Sequence, residues 1–229
     1  MGDMAVAAPM PVLAPGPAFP SVSLASPAPA SLSTGKRAVD LAVSISLLVV
    51  LMPLLVVIAL VIALSSRGPA LLVQSRVGRH GEQFRMLKFR TMIEGAAAAQ
   101  QSLEGANEAT GALFKIRNDP RVTSVGKILR RFSLDEVPNV INVLRGEMSL
   151  VGPRPLPLRD HALLEVWHRR RSHVLPGMTG LWQIAGRSDL SFDDLVRLDF
   201  YYLENWSLWL DISILIRTLP AVVARRGAY

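Results

Sequence analysis

LAVSISLLVVLMPLLVVIALVIAL, Leu41 to Leu64, is a run of 24 residues without a charge. As a helix it would rise roughly 36 Å at about 1.5 Å per residue, enough to cross the hydrocarbon core of a bilayer. Pro53 stands near its middle, where a missing amide and a clash with the preceding turn cost about 3 kcal/mol in a soluble helix interior, so a kink or break is expected there. Lys36 and Arg37 precede the run and Arg67, Arg76 and Arg79 follow it. Because Lys/Arg flank both ends, their cytoplasmic bias gives no in-to-out vote. Two topologies follow. One is a kinked single span, which the sequence alone favours because proline is common in membrane helices. The other is a re-entrant helix-break-helix entering and leaving one leaflet, with Ser44 and Ser46 bonding carbonyls freed by the break.

Upstream of the run, residues 1–34 are rich in proline, alanine and serine, with Asp3 the one charge. That composition reads as a disordered tail. The absence of Lys or Arg there argues against a signal peptide, which needs a basic n-region. Across 229 residues, 25 Lys+Arg against 18 Asp+Glu give a net charge of +7, which favours anionic partners. No cysteine is present, so disulfides and Cys-containing zinc sites are excluded. No zinc-finger spacing, RNP signature or basic zipper occurs, and nucleic acid is not an expected partner.

Downstream, ALLVQSRVGRHGEQFRMLKFRTM holds two β-like runs around a glycine-containing turn, Val77 to Gln83, and predicts a hairpin. Lys88 and Arg90 alternate with Phe89 and are expected on one strand face, as a phosphate grip or as ordinary solvated charges. Residues 95–112 suggest a weak helix or connection without chemistry. Next comes RRFSLDEVPNVINVLRGEMSLVGPRP, Arg130 to Pro155, with adjacent carboxylates Asp135 and Glu136 between an arginine pair and a Gly-Pro-Arg-Pro turn. Neighbouring carboxylates suit a metal ion or a nucleophile, and guanidiniums grip phosphate oxygens two at a time. The competing reading is structural. Ser133 and Glu136 have the S-x-x-E spacing of a capping box, with Asp135 merely favouring a helix dipole. Gly146 would stop the short helix that follows.

Asp160 to Arg171 is expected to be one helix, with Arg169, Arg170 and Arg171 on a solvated face. Ser191 and Asp194 form a second capping box opening a helix through Leu203, its acids Asp193, Asp194 and Asp199 structural. Near the C-terminus Leu208, Ile212, Leu215, Ile216, Leu219, Val222 and Val223 make one helical stripe, provided Pro220 is accommodated. With Trp206 and Trp209 before it and Arg225 and Arg226 after it, this helix suits either a headgroup zone or a soluble core.

These motifs, KFRTM at Lys88 to Met92, the segment from Arg130 to Pro155, and PGMTGLWQIAGR at Pro176 to Arg187, resemble those of the monotopic bacterial sugar transferases. Those phosphoglycosyl transferases start glycan assembly on polyprenyl phosphate. The resemblance runs from about Lys36 to Tyr229, and the ending is most like small exopolysaccharide members that transfer galactose or glucose phosphate. It implies an α+β fold: a small membrane-associated catalytic domain with a re-entrant membrane segment at 35–66 broken at Pro53, amphipathic interfacial helices, and a cytoplasmic transferase domain at 67–229 on the inner membrane. It implies a UDP-sugar donor and undecaprenyl phosphate acceptor, with release of UMP. It makes Asp135 the nucleophile and gives Glu136 metal binding or proton handling, with Mg²⁺ as cofactor at these two carboxylates. Arg130 is carried over as the grip on lipid phosphate, and Lys88, Arg154 and Arg187 as the grip on the nucleotide diphosphate. Met52 before Pro53, where serine is frequent, departs from the family pattern. The rival from another class is a non-catalytic, membrane-anchored phosphate-binding or regulatory protein.

Overall fold

The structure is a computed structural model that describes residues 33–108, 114, 116–186 and 190–224. The tail reading therefore lies, up to residue 32, outside the described residues, as do Arg187, Arg225 and Arg226.

Helix α1, Thr34–Ser65, takes in the whole apolar run as one element of 32 residues with Pro53 inside it. It is long and apolar enough to cross a membrane by length and composition. The expected break at Pro53 does not interrupt it. A proline removes a single i→i−4 bond, and an apolar helix held at both ends can keep the rest. Ser46 donates to the Ala42 carbonyl at 2.9 Å, an ordinary bond within the turn, and does not serve the Val49 carbonyl that Pro53 leaves without a donor. Ser44 is buried with no partner among the described residues.

Both ends of α1 are fastened to the same globular body. At its N-terminal end Ser33 caps the helix. Lys36 Nζ donates to Asp211 Oδ2 at 2.6 Å and to the Val151 carbonyl at 3.0 Å, and Asp40 Oδ1 accepts from Leu150 N. Arg37 donates to the Val143 and Leu144 carbonyls. At the other end Ile58 and Ile62 are buried with Phe89 and Leu129, and Arg90 donates to the carbonyls of Ser66 and Arg67. Between the fastenings the helix is bare: Val49 and Val50 are 69% and 73% exposed.

The predicted hairpin forms, β1 (Leu71–Val77) pairing antiparallel with β2 (Gln83–Phe89) in the register Leu71↔Phe89 to Val77↔Gln83. His80 and Gly81 take positive φ in its turn. Residues opposite one another share a face, so Arg76 and Lys88 lie on the same side while Phe89 enters the core. Arg90 and Lys88 do not act together. Arg90 lies beyond the strand end and turns to the end of α1.

After a 3₁₀ segment at Ala98–Ala106 come helix α2 (Ser124–Arg131), a 3₁₀ segment at Leu134–Asn139, and helix α3 (Val140–Arg145). Gly146, at φ 81°, ends α3 as expected. Strand β3 (Ser149–Val151) pairs in parallel with β4 (Gly177–Thr179). Here the Gly-Pro-Arg-Pro turn and the PGMTG motif interlock. Gly177 N donates to the Pro153 carbonyl at 2.9 Å, and a Cβ at Gly177 would meet Gly152 N at 2.1 Å, so no side chain fits. The main core gathers around this pair: Val143, Met148, Leu150, Val151, Val174, Tyr202, Leu203 and Ile214.

The helix expected from Asp160 to Arg171 is instead α4 (Leu158–Ala162) and a 3₁₀ segment at Trp167–His173. The solvated-face reading holds for the exposed Arg169 and fails for the other two arginines. Arg171 is buried, donating from Nε to Asp199 Oδ2 at 2.8 Å, and Arg170 pairs with Glu204. The reason is tertiary: α6 (Phe192–Glu204) brings Asp199 against the arginine run. Helix α6 opens with the predicted Ser191/Asp194 capping box, and Asp199 is structural as expected. Helix α5 (Leu181–Ala185) precedes it and α7 (Leu208–Ala224), with Pro220 inside, follows. In α7 the deeply buried positions are Asp211 and Ile214, while Ile216, Leu219 and Val223 of the predicted stripe are 62%, 71% and 74% exposed. The stripe is therefore divided: Leu215 packs against the main core, while Ile216, Leu219 and Val223 form an open apolar face.

Candidate active site

Lys88, Arg130, Asp135, Glu136 and Arg154 come from four separate segments and meet in one place. Helix α2 docks so closely on the end of the hairpin that a Cβ at Gly126 would meet the Thr91 carbonyl oxygen at 2.0 Å. Thr123 caps α2 and donates its amide to that same carbonyl at 3.0 Å. Thr91 Oγ1 in turn accepts from Arg130 Nε at 3.0 Å, which aims the guanidinium. Asn142 clamps the following segment to β2: its Oδ1 accepts from Leu87 N at 3.0 Å, and its Nδ2 donates to the Arg85 carbonyl and to Glu147. Thereby Lys88 is held against the carboxylates.

Ser133 precedes them at φ 55°, ψ 22°. Left-handed backbone costs a non-glycine residue about 1–2 kcal/mol, and it takes Ser133 out of the extended geometry an N-cap needs. No side-chain cap bond forms. The capping-box reading is thus overturned: Glu136 turns to Arg154, accepting at 2.6 Å from Nη2 and 3.3 Å from Nη1. The Arg154 guanidinium carbon also lies 5.4 Å from the centre of the Trp182 ring, and Arg171 donates to the Arg154 carbonyl at 2.9 Å. Asp135, by contrast, makes no hydrogen bond among the described residues.

The electrostatics separate the two carboxylates. Burial, then the neighbouring Glu136 charge, raises the Asp135 carboxyl to about 6, against the pull of Lys88, Arg130 and Arg154. Burial also works against ionised Glu136, but the charge and hydrogen bonds of Arg154, with Lys88 and Arg76, outweigh it and hold that carboxyl below its usual value. Burial and then Arg76 bring the Lys88 ammonium down to about 8. Arg76, from β1, is thus a member of the cluster that sequence reasoning missed. It stood there only as a charge flanking the apolar run, and its place opposite Lys88's strand becomes visible once the register is known. Thr91 and Asn142 were missed too, because a neutral side chain gives no signal of what it will orient.

No group of three or more His, Cys, Asp and Glu side chains able to hold a metal occurs among the described residues. Asp135 and Glu136 suit a hard cation only as a partial set, completed by substrate phosphates and water, which is the usual manner of Mg²⁺. Arg187 lies outside the described residues. The others form one cluster in which Glu136 is paired with Arg154 and Asp135 keeps its oxygens free of hydrogen bonds among the described residues.

That arrangement, on a small α+β domain carrying an apolar helix, defines a class of membrane-associated enzymes working on phosphates. The chain belongs to the bacterial sugar transferase family, whose model matches residues 31–225. It is 45% identical over 162 residues to the galactosyl transferase CpsE of Streptococcus agalactiae, covering 70% of this chain and 36% of that protein. To the exopolysaccharide production protein ExoY of Sinorhizobium fredii it is 42% identical over 203 residues, 85% of this chain and 88% of the relative. The undecaprenyl-phosphate galactose phosphotransferase of Salmonella typhimurium is 41% identical over 201 residues, 85% of this chain and 41% of the relative. The chain thus spans most of ExoY and well under half of the other two.

Proposed function

We propose that this chain transfers a hexose 1-phosphate, galactose or glucose, from a UDP-sugar to undecaprenyl phosphate, releasing UMP, as the first step of exopolysaccharide assembly. The observation that carries the reading is the division of labour between adjacent carboxylates. Glu136 is gripped by Arg154, while Asp135 sits unbonded beside Lys88 and Arg130. In the first step an Asp135 oxygen bonds to the β-phosphorus as the bond to the UMP oxygen breaks, and UMP leaves with the bonding electrons. In the second an oxygen of the lipid phosphate bonds to that phosphorus, and the Asp135 carboxylate is released. No net proton transfer is required. Arg130, aimed by Thr91, binds the lipid phosphate, and Lys88 and Arg154 bind the diphosphate. A Mg²⁺ held by Asp135 and Glu136 would offset the repulsion between a carboxylate and a diphosphate.

In this reading the reaction takes place on the inner membrane, with the catalytic body on the cytoplasmic face and α1, continuous but kinked at Pro53, entering and leaving the same leaflet. The fastening of both helix ends to one body, through Lys36 and Arg90, supports this. A bitopic helix of this length would carry its ends to opposite sides of the bilayer. The open apolar face of α7 is suited to rest at the same surface. Since the chain has no cysteine, single cysteines at positions 30 and 75 are expected to label from the same side. Labelling from opposite sides would refute the re-entrant topology.

The activity is tested by UMP release from UDP-galactose, UDP-glucose and UDP-N-acetylhexosamines in the presence of undecaprenyl phosphate. Turnover with a hexose donor, lost in Asp135→Asn, is expected. Tight donor binding without turnover would instead favour the non-catalytic reading.

A further inference from the structure

Arg76 has neighbours of both signs and a partner for only part of its guanidinium. Its Nη2 donates to Gln74 Oε1 at 2.8 Å, and its Nη1 lies at 3.5 Å from the Pro155 carbonyl, the outer limit of a hydrogen bond. Its Nε is buried with no acceptor. Arg154 and Lys88 face it as cations, and Glu136 and Asp160 as carboxylates. Glu136, however, is committed to Arg154, and no hydrogen bond joins Arg76 to either carboxylate among the described residues. A planar donor fork held by Gln74, beside two other cations and with its buried Nε free of any protein acceptor, has the form of a phosphate-binding group.

We propose that Arg76 is a substrate-binding residue of this site, gripping the diphosphate of the nucleotide-sugar donor together with Lys88 on the same face of the hairpin. The inference rests on the transferase reading and adds to it a residue from β1. Burial and then the Arg154 charge bring its guanidinium down to about 10, against the pull of Glu136 and Asp160. The isolated bridge between Arg76 and Pro157 and the bond from Val77 N to the Leu156 carbonyl fix β1 to the stretch following Arg154. The hairpin and the Gly-Pro-Arg-Pro turn can therefore close on one diphosphate from two directions.

The test uses the full chain in membranes or detergent, with UDP as the binding probe. Arg76→Gln is expected to weaken UDP binding about 30-fold and to raise the donor KM, with the lipid KM unchanged. Its Tm should be equal to or above that of the unaltered chain, because a crowded cation has gone; a merely structural arginine would lower it. Arg76→Lys keeps the charge without the fork and should recover only part of the affinity. Gln74→Leu, which loosens the guanidinium without removing it, should cost roughly three-fold in UDP affinity. UDP binding by Arg76→Gln within two-fold of the unaltered chain, or a loss confined to the lipid KM, would overturn the assignment. If the unaltered chain binds UDP through Arg76 yet releases no UMP, the transferase reading falls and the assignment stands. If it turns over normally while UDP binding ignores Arg76, only the assignment falls.

Discussion

At the foot of α1, Lys36 meets Asp211 at 2.6 Å, with the Val151 carbonyl and Tyr202 sharing its remaining donors and Trp206 Nε1 completing the carboxylate. Around Asp135, by contrast, Lys88, Arg76, Arg130 and Arg154 crowd two carboxylates, one of them unbonded. The first is buried around a matched Lys36–Asp211 pair with the Asp40 carboxylate beside it, whereas the second is only partly buried and sets four cations against two carboxylates. The matched pair fastens α1 to its body, and the unmatched cluster is the one proposed to receive phosphate. A low-dielectric interior penalises unpaired charge heavily, so the imbalance is affordable only where a ligand repeatedly cancels it.

The comparison breaks most visibly at Asp135. Asp135→Asn should reduce UMP release by about 10⁴-fold, the scale expected for losing a nucleophile, measured as initial rate. The same change should raise stability at pH 8. The Asp135 carboxyl holds its proton more tightly folded, near 6, than at its ordinary 3.8. Its favourable contribution is therefore full below about pH 4 and lost as pH rises through 6. Removing the charge recovers on the order of 1–2 kcal/mol, visible as a Tm a few degrees higher.

In the matched cluster the sign is opposite. Lys36→Met strands Asp211 and should cost about 3–5 kcal/mol, a fall of roughly 10 °C in Tm. Pairing it with Asp211→Leu should restore most of the loss, since it is the orphaned charge that destabilises. A smaller effect is the pH profile of UMP release. It should fall tenfold per unit below about pH 6 as Asp135 protonates, and Glu136→Gln should move that limb to lower pH by removing the like charge. The least effect belongs to the exposed pair Arg159–Glu104, 3.0 Å apart with both side chains over 40% exposed. Arg159→Ala there should change stability by less than about 1 kcal/mol.

What the sequence revealed followed from local rules. The hairpin was legible because alternation and a glycine turn act over a few residues, and the α6 start because a capping box is complete within four. The stop at Gly146 was legible for the same reason. Failures came where distant packing decides. Ser133 and Glu136 have capping spacing, but Arg154 takes the glutamate and the backbone turns left-handed. Arg171 sits in a run that looks solvated until Asp199 meets it from α6. Pro53 reads locally as a kink or a break; of the two the break is absent, since the helix bracketed by the fastenings at Lys36 and Arg90 is continuous. Motif resemblance picked out Lys88, Arg130, Asp135, Glu136 and Arg154, which the fold does bring together. It passed over Thr91, Asn142 and Arg76, whose relation to the cluster depends on strand register and docking.

The most direct test of the account is the mass of intact protein incubated with UDP-galactose or UDP-glucose in the absence of lipid. The account predicts an added hexose phosphate, mapped by peptide digestion to Asp135 and absent from Asp135→Asn. Product formation on adding undecaprenyl phosphate, with no such adduct before it or with the adduct on another residue, would contradict it.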